Sequence, residues 1–228
     1  MALIFRRDLA DPNKRKLSST SDCCVLPRNL RPMQLSRRTE PFDSDDFIYE
    51  LKIDGFRALA HIRDGRGELV SRNGNVFRGF AELVTWIAEH LHVENAVLDG
   101  EIACIDDSGR SVFNDLLFRR RDCVFFAFDL LWLNGEDLRG LPLIERKARL
   151  KKLLGRKVSR VLYLDHIEAR GRDLFEKVCE LDLEGIVAKR KASVYRPTEK
   201  PSPHWVKIKN PRYSQAEGRE ELFERAQA

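Results

Sequence analysis

Lys52 closes an apolar run, Phe47-Ile48-Tyr49-Glu50-Leu51-Lys52-Ile53, and is followed at once by Asp54-Gly55. Aromatic and β-branched residues predict a strand here, and Asp-Gly predicts the turn that ends it. A lysine delivered to a strand end can serve as a nucleophile once its amine loses a proton. Its ordinary pKa is about 10.4, so burial or neighbouring charge has to help remove that proton.

The same construction, an ionic residue at the end of an apolar strand or beside a glycine, recurs along the chain. It appears at Asp54 and Arg57, at Arg72 before Asn73-Gly74, at Asp99-Gly100-Glu101, at Asp129 after Phe128, and at Glu184 before Gly185-Ile186-Val187. Lys207 and Lys209 lie two residues apart in Trp205-Val206-Lys207-Ile208-Lys209 and therefore share one face of a strand. Like charges on one face repel unless an anion sits between them, and a triphosphate is a suitable anion. Neither GxGxxG nor GxxxxGK[ST] occurs, so any nucleotide is held by another device.

The elements that position these groups follow from period and punctuation. Strands are predicted over Phe56–Arg63 and Glu68–Arg72, joined by a turn at Asp64-Gly65-Arg66-Gly67, with a second tight turn at Asn73-Gly74. Phe80, Leu83, Val84, Ile87 and Leu91 recur at helical spacing, which predicts a helix over about 79–92. Residues 96–103 read as a strand and 111–122 as ambiguous; Val124–Leu133 is the most apolar run and reads as a buried strand. Pro142 opens a helix to about Leu154, with Leu143, Leu150 and Leu154 on one side and Arg/Lys on the other. A strand at Val161–Ile167, a helix at 172–182, and strands at Gly185–Lys189 and Trp205–Lys209 complete the reading. This order predicts an α+β fold with largely antiparallel sheets, not a strict βαβ alternation.

The 228 residues suffice for one sizeable core or two small lobes sharing a cleft. No apolar stretch is long enough to span a bilayer, and Arg6, Arg7 and Asp8 occupy the place of a signal-peptide core, so a cytoplasmic protein without membrane contact is expected. The five cysteines show no CxxC or zinc spacing and are expected as reduced thiols, with Cys23-Cys24 in a polar segment. Residues 1–38 carry nine Lys/Arg, among them Lys14, Arg15, Lys16, Arg37 and Arg38, against three Asp. A basic arm on a nearly neutral body fits a polyanion, and a solubilising leader fits the charge equally well. Residues 28–46, divided by Pro32 and Pro41, are expected to wrap a surface.

Lys52-Ile53-Asp54-Gly55-Phe56-Arg57 resembles the KxDGxR signature of the covalent nucleotidyltransferases, the ATP-dependent polynucleotide ligases and capping enzymes. Ser71-Arg72-Asn73-Gly74, Leu98-Asp99-Gly100-Glu101, Phe126-Ala127-Phe128-Asp129, Glu184–Lys189 and Trp205–Lys209 resemble the family's other motifs, in the family's order. Together they are similar to the adenylation domain of bacterial ATP-dependent DNA ligases. The resemblance implies a bilobal fold with antiparallel sheets around a nucleotide cleft, ATP with Mg²⁺ or Mn²⁺ as cofactors, and nicked double-stranded DNA as partner in repair, recombination or replication.

It also implies roles. Lys52 would attack the α-phosphorus of ATP and become lysyl-AMP; AMP would pass to a 5′-phosphate at a nick, and 3′-OH attack would seal the backbone. Lys207 and Lys209 would neutralise the phosphates, Glu50 and the Leu51 backbone would read adenine with Phe128 stacked on it, and Arg57, Arg72 and Glu101 would contact ribose and phosphate. Glu184 and Glu101 would hold the metal, while Arg72 and the arm would touch nucleic acid. Expected boundaries are a basic leader over 1–26, the adenylation domain over 27–212, and a short helical tail over 213–228. Only residues 210–228 follow the fifth motif, too few for the family's OB-fold domain, so a separate DNA-clamping or repair protein is an expected partner. Two alternatives stay open: an adenylyltransferase or ligase acting on RNA, and a nucleic-acid-binding accessory protein without full ligase activity. Oligomeric state is not legible.

Overall fold

A short strand β1 (Leu35–Arg38) precedes the lysine-bearing strand β2 (Ser44–Leu51), and the next strand, β3 (Phe56–Arg63), enters a different sheet. The crossing between sheets is the Lys52–Gly55 segment itself. In this computed structural model, which describes residues 30–155, 160–198 and 200–216, the Lys52 N–H donates to the Gly185 carbonyl at 2.9 Å as the chain leaves the first sheet. A Cβ at position 55 would lie 2.2 Å from the Ile102 carbonyl oxygen, so only glycine lets the chain pass this close to the second sheet.

After β3 come β4 (Arg66–Ser71), a 3₁₀ turn (Arg78–Phe80), α1 (Ala81–His90), β5 (Asn95–Cys104), α2 (Phe113–Phe118), β6 (Cys123–Leu133) and β7 (Glu136–Asp137). Then follow α3 (Leu143–Leu154), β8 (Val161–Tyr163), β9 (Ile167–Ala169), α4 (Gly171–Glu180), β10 (Gly185–Arg190), β11 (Ser202–Lys209) and a 3₁₀ turn (Ser214–Ala216). One sheet has the order β1-β11-β10-β2-β9 and the other β4-β3-β5-β6-β7, with β8 added beside β6. All pairs are antiparallel except β1–β11 and β6–β8.

Each sheet has its own apolar side. Leu83, Ile87 and Ala88 of α1 pack on the six-stranded sheet, and Val178 of α4 packs with Ile186 and Ala188 on the five-stranded one. A third cluster joins them: Ile48 and Trp205 from one sheet meet Leu59, Val97, Phe128 and Leu131 from the other. This shared core fixes the two sheets relative to one another, which keeps a cleft between them open at one end.

Four expectations are corrected. The single strand over Val161–Ile167 is two strands in different sheets, because Leu164 turns into the shared core with its N–H on the Ala127 carbonyl. Residues 28–46 do not merely wrap a surface: Leu30 and Met33 are buried, and β1 adds an edge strand beside β11, so Arg37 and Arg38 belong to the folded body. On α3, Arg146 and Lys147 are buried with Leu143 and Leu150, not on the opposite side. Cys104 and Cys123, expected as separate thiols, face each other across β5 and β6 as a disulfide. Lys14, Arg15, Lys16, Cys23-Cys24, the 1–26 leader and most of the 213–228 tail lie outside the described residues. Among the described residues no helix is long and apolar enough to cross a membrane.

Candidate active site

A cavity of about 680 Å³ opens between the two sheets, within the range of small-molecule sites. Its lining includes Lys52 from the crossing segment, Glu101 from β5, Phe128 from β6 and Lys207 from β11. Strand alternation explains the selection. In β10, Ile186 and Ala188 point toward α4, while Val187 and Lys189 line the cavity.

At one end of the cavity the charge is mostly positive. The Lys52 ammonium donates to Glu184 Oε2 at 2.7 Å, and Lys209 Nζ lies 3.3 Å from Glu184 Oε1. Glu184 is only 5% exposed, and its backbone is steered by Gly185, where φ is 150° and a Cβ would fall 2.3 Å from the Ile208 carbonyl oxygen. Burial and the nearby Lys52, Lys209, Arg72 and Arg37 hold the Lys207 amine below its ordinary pKa. Arg37 reaches this group because β1 pairs in parallel with β11, with Arg37 opposite Lys207. Arg72 is exposed at the cavity mouth, in the Ser71–Gly74 turn. The arrangement gathers more cations than carboxylates, which suits a polyphosphate.

Glu101 differs from its neighbours. Burial raises its carboxyl to about 8; Lys52 and Arg57 pull it down, and Glu184 and Asp99 push it up again. Among the described residues it has no side-chain hydrogen bond and no ion pair. The carboxylate oxygens of Glu101, which has no such partner, and of Glu184, which faces Lys52 and Lys209, are hard donors of the kind that fit a divalent cation keeping several waters and taking phosphate oxygens. No cluster of three or more His, Cys, Asp or Glu forms an all-protein cage among the described residues.

The inner end is built from buried charges that already have partners. Glu50, 1% exposed, lies 2.5 Å from Lys147 Nζ and 2.6 Å from Lys189 Nζ. Burial alone would raise the Glu50 carboxyl, but the two ammonium groups outweigh it and keep it below its ordinary value. Lys189 lies 4.0 Å from the Phe128 ring centroid and 4.1 Å from that of Trp205, and burial brings its amine down to about 8 despite Glu50. Phe128 is both a cavity wall and a core residue, 8% exposed, with its ring edge-on to Trp205.

Arg57 lines the cavity, yet its guanidinium is committed inward. Nε and one terminal nitrogen donate to the two Asp99 oxygens at 3.1 and 2.7 Å, and the other donates to the Met33 carbonyl at 2.6 Å. The Tyr195 hydroxyl donates to the same Asp99 at 2.7 Å. Asp54 is buried and accepts the Tyr213 hydroxyl at 2.7 Å, tying the segment after β11 to the crossing.

Sequence reasoning did not single out Lys147 or Tyr195, and it assigned no role to Lys189 or Trp205. A signal was present for the two lysines: Lys147 is four residues from Leu143 and so on the apolar face of its helix, and Lys189 shares strand parity with Val187. Arg37 and Arg38 were grouped with the arm, but β1 places Arg37 opposite Lys207.

Residues 31–209 match the family described as ATP dependent DNA ligase domain. The chain is 34% identical over 190 residues to the multifunctional non-homologous end joining protein LigD of Pseudomonas aeruginosa, covering 81% of this chain and 22% of that protein. It is 30% identical over 210 residues to the bifunctional non-homologous end joining protein LigD of Bacillus subtilis, covering 78% of this chain and 34% of that protein. A solved structure described as mycobacterial DNA ligase D complexed with ATP and MES superposes with a TM-score of 0.69 at 30% identity, over 81% of this chain and 62% of that one. The chain thus spans 22–34% of the length of these two relatives.

Proposed function

The chain belongs to the ATP-dependent DNA ligase domain family, and on that premise we propose that it is the adenylation unit of a DNA ligase, with Lys52 as the residue that carries AMP. The observation that carries this reading is the Lys52 ammonium, 2.7 Å from Glu184, in a cavity between sheets whose open end also holds Lys207.

In the first step the Lys52 nitrogen lone pair forms a bond to the α-phosphorus of ATP, and the bond to the bridging oxygen breaks, releasing pyrophosphate. The ammonium proton has to leave first, and Glu184 is the acceptor within reach. Lys207 and Lys209, the cations beside Lys52 and Glu184, would neutralise the charge that builds on the α-phosphate and the departing pyrophosphate. Glu101 and Glu184 would hold Mg²⁺ or Mn²⁺, which when bound would draw charge from the phosphate oxygens.

Phe128 and Trp205 with Lys189 between them form the wall against which the base would rest, and Glu50 with the Leu51 backbone lines the same end. Arg57 acts here through Asp99 by holding β3 to β5, so the exposed Arg72 rather than Arg57 would meet a phosphate at the mouth. A 5′-phosphate oxygen would then attack the lysyl-AMP phosphorus, returning the amine and forming a pyrophosphate-linked end. Attack by an adjacent 3′-oxygen would close the strand and release AMP. Phosphate contacts rather than base contacts would dominate binding.

The test is incubation with α-labelled ATP and Mg²⁺, followed by peptide mapping. Label on Lys52, lost in Lys52→Ala and discharged by nicked DNA bearing a 5′-phosphate, is the expected result. Label that survives the substitution, or none on the parent protein, overturns the assignment. Discharge by nicked RNA but not DNA would redirect it to an RNA substrate.

A further inference from the structure

Outside the nucleotide cavity, a second concavity of about 740 Å³ lies between the start of α1 and the connection from α2 to β6. Five arginines line it, Arg78, Arg119, Arg120, Arg121 and Arg160, with Glu82 and Asp122 as its only carboxylates among the described residues. Two of the five are partly neutralised. Arg121 is 2.8 Å from Asp115, and Arg160 donates to the Cys123 carbonyl at 3.2 and 3.0 Å and lies 3.9 Å from Asp122. Arg78, Arg119 and Arg120 are exposed and have no carboxylate partner among the described residues.

These side chains are arranged by local packing. Arg119 follows α2 with φ of 53°, and its guanidinium lies over Gly79, where a Cβ would meet it at 2.2 Å. The same guanidinium sits 5.9 Å from the Phe80 ring, and Arg120 sits 5.1 Å from that of Phe118. Aromatic contact holds arginine side chains in place while leaving their forked donors available to solvent. The groove and the site meet along the chain: Phe77 lines the nucleotide cavity, and the next residue, Arg78, lines the groove.

We propose that this arginine groove binds the sugar-phosphate backbone of nucleic acid, so that a strand whose end sits at Arg72 continues past Arg78 to Arg119 and Arg120. The proposal rests on the ligase reading for the position of the strand end, and on the groove's own charge for the rest. Guanidinium groups donate in the geometry that phosphate oxygens accept. A protein partner is disfavoured because interface energy concentrates in buried apolar anchors. Neither exposed large hydrophobic among the described residues, Val76 or Leu181, lines the groove.

The experiment measures binding of a 5′-phosphorylated nicked duplex across a salt series, alongside self-adenylation without nucleic acid. For the triple variant Arg78→Ala/Arg119→Ala/Arg120→Ala, the slope of log affinity against log salt is expected to shrink by about 2.7, at about 0.9 for each phosphate that is no longer neutralised. Self-adenylation is expected to persist. The double variant Arg78→Ala/Arg120→Ala leaves Arg119 on Phe80 and should shrink the slope by about 1.8, while triple replacement by lysine should restore most of the parent slope. An unchanged slope in both alanine variants overturns the groove, as does loss of binding to polyglutamate without loss of binding to DNA. If the parent protein fails to adenylate but its DNA binding still depends on these arginines, the ligase reading falls and the groove stands. If it adenylates with a slope indifferent to them, the groove alone falls.

Discussion

The two ends of the nucleotide cavity use the same residue types to opposite effect. At the open end Lys52 and Lys209 share one carboxylate, Glu184, with Lys207, Arg72 and Arg37 adding to the positive field. At the inner end Glu50 lies between Lys147 and Lys189, Arg57 is clamped to Asp99, and Arg146 to Asp129 with both side chains fully buried. Cations in excess of their partners remain available to a phosphate. Charges that are buried and paired are expensive to disturb and so hold geometry. The lesson is that composition does not separate chemistry from scaffolding; the ratio of carboxylates to cations and their burial do.

That contrast can be broken, the largest effect first. Lys52→Ala should abolish lysyl-adenylate entirely, yet leave unfolding free energy in urea within about 0.5 kcal/mol of the parent, because Glu184 keeps Lys209. Loss of several kcal/mol would mean that the open end is structural after all. Glu50→Ala should do the reverse, costing about 3–5 kcal/mol in urea unfolding by leaving two buried ammonium groups unpaired. A stable Glu50→Ala protein would contradict the scaffold assignment.

Lys207→Ala should slow adenylate formation by roughly 10²-fold, the scale for losing one donor to developing charge. A normal single-turnover rate would remove Lys207 from the reaction. The smallest effect is the pH dependence of Lys189. Its folded pKa of about 8 lies below the unfolded value of about 10.4. Between these values the unfolded chain holds a proton that the folded chain has released, so this group's contribution to stability rises with pH from about 8 toward 10. Above that range the buried Tyr49 hydroxyl, raised to about 12, acts in the opposite sense. Urea titrations at pH 7.5 and 9.5 should show the rise in the parent and its absence in Lys189→Met. An equal rise in both would assign it to another group.

Much of the fold was legible. Phe56–Arg63 is a strand with the expected bounds, and the helix read over 79–92 is the 3₁₀ turn and α1, because period and punctuation act locally. The crossing at Gly55 and the bend at Gly185 coincide with glycines that punctuate the motifs. The path through Leu164 was not legible, since an apolar run does not say which sheet each half will join. Nor was the commitment of Arg57 to Asp99, because a strand-end arginine reads the same whether it faces phosphate or a buried carboxylate.

The sequence by itself determined which side chains stand at strand ends, where most strands and helices run, and that six motifs follow the order of one family. Tertiary structure alone decided which carboxylate answers which cation. Lys52 and Glu184 are 132 positions apart and Lys147 and Glu50 are 97 apart. Charge compensation acts through space and depends on burial, and neither quantity is written in the spacing of neighbouring residues.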